Sequence, residues 1–234
     1  MSHLSPALRH KARTLAAKAA ADTAPGGLTG GNAYELIHYQ LIDHLRRIKQ
    51  IQSIEQKNTL KAELLPEYQD WIDGVLSAGK GGQDDVLTTL LVWYIDVGHY
   101  ARALQVAQYA VTHNMSMPDQ YNRDIPTLLM DEFADATLAG NMPAEVGRAI
   151  LADVIALTES KDAPDQARAK LHKAYAYALL DKSNTADPIA EGLDPSEMQQ
   201  ALPHLTRALA LDKRIGVKKD IERLTLRLKK VPKV

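Results

Sequence analysis

Carboxylates are the residues of this 234-residue chain whose types and spacing come closest to chemistry. Asp84 and Asp85 are adjacent; Asp131, Glu132 and Asp135 form a second group, in which Asp131 and Asp135 share one helical face. A two-metal nuclease gathers carboxylates around ions about 4 Å apart, so either group could supply half of a Mg2+ site. The same residues serve equally as helix caps and solvated faces, because 29 acidic residues spread over helices produce such pairs by chance. The five are therefore weak catalytic candidates, and no metal site is assigned. Asp153 with Glu159, Ser160 and Lys161 imitates the acid-and-lysine pattern of restriction-type nucleases. That chemistry projects its groups from adjoining strands, whereas this stretch reads as a helix running into a turn.

Other reactive patterns fail sooner. The eight histidines include no HExxH and no compact triplet, so His99, His113, His172 and His204 read as interface or helix-end residues. With no Cys there is no thiol nucleophile, disulfide framework or Cys-based metal centre, which fits an intracellular protein. The GKGG stretch at 79–82 lacks the GxxxxGK[ST] order of a phosphate-binding loop and reads as a tight junction, with anion contact through Lys80 as the other reading. No cofactor is implied. No apolar run approaches the roughly 18 residues of a membrane span, and the N-terminus lacks an export signal.

Charge distribution carries more information. The net charge is -1, but residues 1–65 hold nine Lys/Arg against five Asp/Glu, residues 66–212 ten against 22, and residues 213–234 nine against two. An acidic body with basic ends can bind a polyanion through its ends, or pair its body with the basic ends of neighbouring copies. At the N-terminus Arg9, His10, Lys11, Arg13 and Lys18 precede any acid. At the C-terminus Lys218, Lys219, Arg223, Arg227, Lys229 and Lys230 alternate with Ile221, Leu224 and Leu228. That pattern suits partner docking and DNA contact alike.

The elements that must position these residues are helices. Aromatics make up 5 % of the chain while apolar residues reach 45 %, a balance that favours helices packed through small side chains. Ser5 and Pro6 start a helix reaching about Ala21, and the APGGLTGG run at 24–31 reads as a flexible hinge. Leu36, Leu41, Leu45, Ile48, Ile51 and Leu60 predict one long helix over 32–64, an arm, coiled-coil seam or bundle helix, with Leu41, Leu45 and Ile48 at an oligomer interface. Further helices are predicted from Pro66 onward to a polar loop at 184–197, and again over 195–211 and 216–230. Gly98, Tyr100, Ala103 and Ala110, and later Ala201, Leu205, Ala208 and Leu211, carry degenerate tetratricopeptide spacing. The expectation is an all-α, multi-helix array with a long central hairpin or coiled-coil-like helix and tetratricopeptide-like hairpins. Its segments are a basic tail and hinge (1–31), the long helix (32–64), a helical core (65–183), the polar loop (184–197) and a basic-ended helical hairpin (198–234).

SPALRHKAR near the N-terminus, ELLPEYQDWIDGVLSAGKGGQDDVLTTLLVWYIDVGHYARALQVAQYAV in the middle, RAKLHKAYAYALL, and ALPHLTRALALDKRIGVKKDIERL together resemble the small terminase subunit of P2-like tailed bacteriophages. The likeness runs from about residue 5 to 230. It implies a genome-packaging role in the host bacterial cytoplasm: binding double-stranded phage DNA at the cohesive-end site (cos), assembling as a homo-oligomeric ring, and recruiting or regulating a large subunit that uses ATP. Members of that family are labelled endonuclease subunits, so cutting of cos by this chain itself is the alternative; a helical protein-binding scaffold is a further one. The resemblance places a basic DNA-binding element at Arg9, His10, Lys11, Arg13 and Lys18, extended by Arg46, Arg47 and Lys49. It also supplies the large subunit as partner for the C-terminal cations.

Overall fold

The computed structural model describes residues 5–182 and 193–230. Residues 184–192 of the expected polar loop lie outside them, and the last three residues of that loop open a helix. The described residues are all-α, with only an isolated parallel bridge between Leu28 and Gln83 in place of strands. The chain forms two compact units, Met1–Ile125 and Pro126–Val234. None of its helices is long and apolar enough to cross a membrane, among the described residues.

In the first unit, α1 (Pro6–Asp22) starts where Ser5 Oγ accepts the Leu8 N–H and proline occupies the first turn. α2 (Asn32–Gln50) and α3 (Ile54–Leu64) replace the single helix expected over 32–64. Ile51 is extended, and Ser53 Oγ accepts the Gln56 N–H at 3.3 Å, capping a new N-terminus. Ser53 and Gln56 have the S-x-x-Q spacing of a capping box, a local stop-and-start signal overridden in reading by the unbroken apolar period. A 3-10 turn at Leu65–Tyr68 leads to α4 (Gln69–Ala78), then α5 (Asp85–Asp96) and α6 (Tyr100–Thr112). Tyr68, Trp71, Ile72 and Val75, recurring at three- and four-residue intervals, are buried, as are Leu87, Leu90 and Trp93 of α5.

α1 buries only two side chains, Ala16 and Ala20, so it docks on α4 through small residues. The docking partner is Gly74: a Cβ there would lie 2.6 Å from both Ala16 Cβ and the Arg13 carbonyl oxygen. Residues 24–31, read as a hinge, are held by three backbone hydrogen bonds. Gly26 N–H donates to Gly81 O (3.0 Å), Thr29 N–H to Gln83 O (2.9 Å) and Gln83 N–H to Gly27 O (2.8 Å). The GKGG glycines meet neighbours as closely, since a Cβ on Gly82 would stand 2.3 Å from Thr23 Cγ2 and one on Gly81 2.3 Å from His113 Nδ1. This junction is tight because packing demands it.

The second unit contains α7 (Ile125–Leu138), α8 (Ala144–Thr158), α9 (Asp165–Leu179), α10 (Pro195–Leu211) and α11 (Lys218–Lys230). α9 packs between α8 and α10, and α10 also carries α11. Buried alanines on both α9 (167, 169, 174, 176 and 178) and α10 (201 and 208) permit close helix approach.

The Gly74 contact sets a stability test. Gly74→Ala should cost about 1–3 kcal/mol by overpacking against backbone. Chemical denaturation should show the loss and hydrogen exchange should localise it to α1; an unchanged midpoint would contradict this packing.

Candidate nucleic-acid interface

The cations of the N-terminal segment stand on α1, and two of them are already paired. Arg9 Nε lies 3.3 Å from Asp70 Oδ2, and Arg13 Nη2 lies 3.3 Å from Asp70 Oδ1 and 3.2 Å from Asp73 Oδ2. Asp73 also pairs with Arg102 of α6. His10, Lys11 and Lys18 are exposed, as are Arg46, Arg47 and Lys49 near the end of α2. α1 and α2 pack on each other, so both groups belong to one unit. The acids Asp70 and Asp73 were missed in the sequence because they lie 57–61 residues from their partners.

Leu41 and Ile48, expected at a subunit interface, are 2 % and 7 % exposed, and Leu45 is half-buried. α2 packs against α1, α3 and α5, so this face is used within the chain. Buried His44 lies on the same helix, its Nδ1 2.7 Å from the Tyr68 hydroxyl, and burial lowers its pKa. Leu36 and Tyr39 are the large apolar residues of α2 left outside, at 71 % and 70 % exposure.

The candidate carboxylates have other occupations. Asp84 is 1 % exposed; its Oδ1 accepts the Leu87 N–H and its Oδ2 the Trp71 indole N–H, each at 2.9 Å. Burial pushes its pKa up to about 6, against these hydrogen bonds. Asp85 accepts from the Gln83 amide at 2.8 Å. Asp131 and Asp135 both hold Lys170 of α9, at 2.8 and 3.0 Å. Burial there would lower the Lys170 pKa, but the two hydrogen-bonded carboxylates outweigh it and raise it. Glu132 is half-buried beside Asp131. No group of three His, Asp or Glu residues able to hold a metal ion is formed among the described residues.

The basic C-terminal helix α11 is anchored by Asp220 and Leu224, its buried residues. Asp220 accepts from the Tyr177 hydroxyl at 2.7 Å and from Lys182 Nζ at 2.9 and 3.0 Å. Lys218, Lys219, Lys229 and Lys230 are exposed; Arg223 is also exposed, 3.9 Å from Asp220, and Arg227 is half-buried. His172 of α9 and His204 of α10 face each other with their Nδ1 atoms 2.9 Å apart. Burial, then His204, Arg207 and Arg168, push the His172 pKa down to about 4, and burial lowers that of His204.

A family model described as phage small terminase subunit matches residues 38–166. The chain is 39 % identical over 230 residues to the "Terminase, endonuclease subunit" of Escherichia phage P2, covering 97 % of this chain and 87 % of that protein. It is 27 % identical over 214 residues to the "Probable terminase, endonuclease subunit" of Haemophilus phage HP1 (strain HP1c1), covering 88 % and 74 %. No solved structure matches significantly.

Half-buried His172 and buried Asp84 respond oppositely to acid, and buried His44 of the first unit responds in the same direction as His172. His172 binds protons more readily unfolded, so its contribution is present above pH 6.5 and is lost as pH falls toward 4. Asp84 binds protons more readily folded, so acidification between pH 6 and 4 favours the folded form of its own unit. Hydrogen exchange at pH 7 and pH 5 should therefore show α9 and α10 losing protection relative to α4 and α5. His172→Gln should flatten that difference; an equal loss in both units would refute the assignment.

Proposed function

The chain belongs to the phage small terminase family, and from that premise we propose that it is a DNA-binding packaging adaptor in the host bacterial cytoplasm. It binds double-stranded phage DNA at cos, oligomerises, and recruits or regulates the large ATPase subunit. The observation that carries the DNA assignment is the set of exposed cations on α1 and the end of α2, within one unit: His10, Lys11, Lys18, Arg46, Arg47 and Lys49. Such groups bind phosphate by releasing counterions, which gives affinity without sequence selectivity. Leu36 and Tyr39 offer the apolar contact for a homo-oligomeric ring, which would gather many weak DNA contacts. The exposed cations of α11 supply a docking face for the large subunit.

A second reading, cleavage of cos by this chain with Mg2+, is favoured by the word endonuclease in the names of both relatives. The adaptor reading is preferred because Asp84 is a buried helix cap and Asp131 and Asp135 neutralise Lys170. Purified chain with Mg2+ should leave cos DNA intact; cleavage that Asp131→Asn abolishes would establish the nuclease instead.

Two experiments test the adaptor. Alanine at Lys11, Lys18, Arg46, Arg47 and Lys49 spares Arg9 and Arg13, whose removal would strand Asp70. The variant should bind cos and unrelated duplexes at least about ten-fold more weakly, with a salt slope flattened by roughly 0.9 per lost phosphate contact. Unchanged binding across the salt series would remove these helices from the DNA surface, and a monomeric mass at micromolar protein would remove the ring. Glutamate at Lys218, Lys219, Lys229 and Lys230 should reduce capture of the large subunit more than DNA retention. The reverse pattern would assign α11 to DNA.

A further inference from the structure

We propose that Asp70 and Asp73 occupy, in the free protein, the places on the α1 arginines that DNA phosphates take on binding, so that the chain engages DNA by exchanging carboxylate for phosphate. The inference rests on the DNA-binding reading above. It starts from the asymmetry of the pairing. The Asp70 side chain is 10 % exposed, whereas those of Arg9 and Arg13 are 50 % and 48 % exposed. Each guanidinium carries five N–H donors, and the contacts to Asp70 and Asp73 use Nε of Arg9 and Nη2 of Arg13. The remaining donors give a phosphate a solvent-side approach before the carboxylate leaves.

The release step is built into the same contacts. Among the described residues, the Asp70 carboxylate is hydrogen-bonded by α1 alone. Asp73 is shared with Arg102, so it retains a cation when Arg13 turns away. Beside these pairs, the face of α1 on α4 buries only Ala16 and Ala20, with Ala16 against Gly74, a contact of small side chains. When an arginine leaves a carboxylate for a phosphate, the DNA releases a cation but the bared carboxylate takes one up, so the exchange adds little to the salt dependence. An arginine with no carboxylate to leave behind contributes the full increment of about 0.9 to the slope.

The test compares full-length wild type with Asp70→Asn/Asp73→Asn, using a cos duplex and an unrelated duplex in a salt series. The double variant should bind both duplexes several-fold more tightly at low salt, with a slope steeper by roughly 0.9 for each of Arg9 and Arg13. If the aspartates only anchor α1, the sign reverses, because a loosened α1 binds DNA less well. Asp73→Asn alone, at a partly exposed position, should give a smaller change of the same sign and guards against misfolding of the double variant. Asp153→Asn/Glu159→Gln alters the net charge equally at exposed positions of the other unit and should leave the slope unchanged. Equal gains in this control, or unchanged or weaker binding by the Asp70/Asp73 variant, would overturn the exchange. Wild type that binds neither duplex at low salt would defeat the DNA-binding reading itself.

Discussion

The first unit depends on one buried carboxylate. Asp84 ends the 79–84 segment, starts α5 through the Leu87 N–H, and reaches back to the indole of Trp71 on α4. A charge removed from water is costly unless its oxygens are satisfied, and here each oxygen has a donor at 2.9 Å. Fixing Asp84 also fixes Gln83, whose backbone pairs with Gly27 and Thr29 and whose side chain bonds the backbone of Ser116. Gly81 and Gly82 pack against His113 and Thr23. The ends of α1, α4 and α6 and the start of α5 thus meet at a few residues. Glycine stands at 79, 81 and 82 because the neighbours there leave no room for a Cβ.

This constraint explains why α1 is a docked helix. Its own sequence offers little: two buried alanines and no acid before its last residue, Asp22. It stays in place because the segment following it is tied to residues 81–83, because Gly74 admits its backbone, and because Asp70 and Asp73 meet its arginines. The charge division along the chain is therefore partly cancelled in space. The acidic body supplies the counter-charges of the basic end.

The helix positions were legible because apolar periodicity and caps report on neighbours three and four residues away. Tyr68, Trp71, Ile72 and Val75 stand at such spacing, and all four are buried. The break at Ile51–Ser53 was legible in Ser53 and Gln56, yet periodicity on both sides concealed it. What periodicity could not tell was which partner covers an apolar face. Leu41 and Ile48 fit a subunit interface as well as an intramolecular one, and both are buried within the chain, on a helix that packs against α1, α3 and α5. The candidate site was legible as a set of cations. Its acidic counterparts were not, since an ion pair across about sixty residues leaves no local pattern. Asp84 shows the same limit, because beside Asp85 it looks like half a metal site until Trp71 and Leu87 are seen to hold it.

The two basic helices are tethered by opposite arrangements, with consequences for what each can bind. In α1 the cations lie on the helix and the acids on the body, so docking consumes the guanidinium groups of Arg9 and Arg13. In α11 the buried acid, Asp220, belongs to the helix and the cation, Lys182, to the body; the Tyr177 hydroxyl completes the contact. Lys182 and Asp220 are both nearly inaccessible, at 8 % and 6 % side-chain exposure, so this pair is little screened by salt. The pairs of α1 have half-exposed arginines and are open to competition by anions. α11 thus keeps Lys218, Lys219, Lys229 and Lys230 outward while its anchor stays intact. A surface of that kind can hold a protein partner without rearranging, whereas α1 must give up part of its anchor to use all its charge.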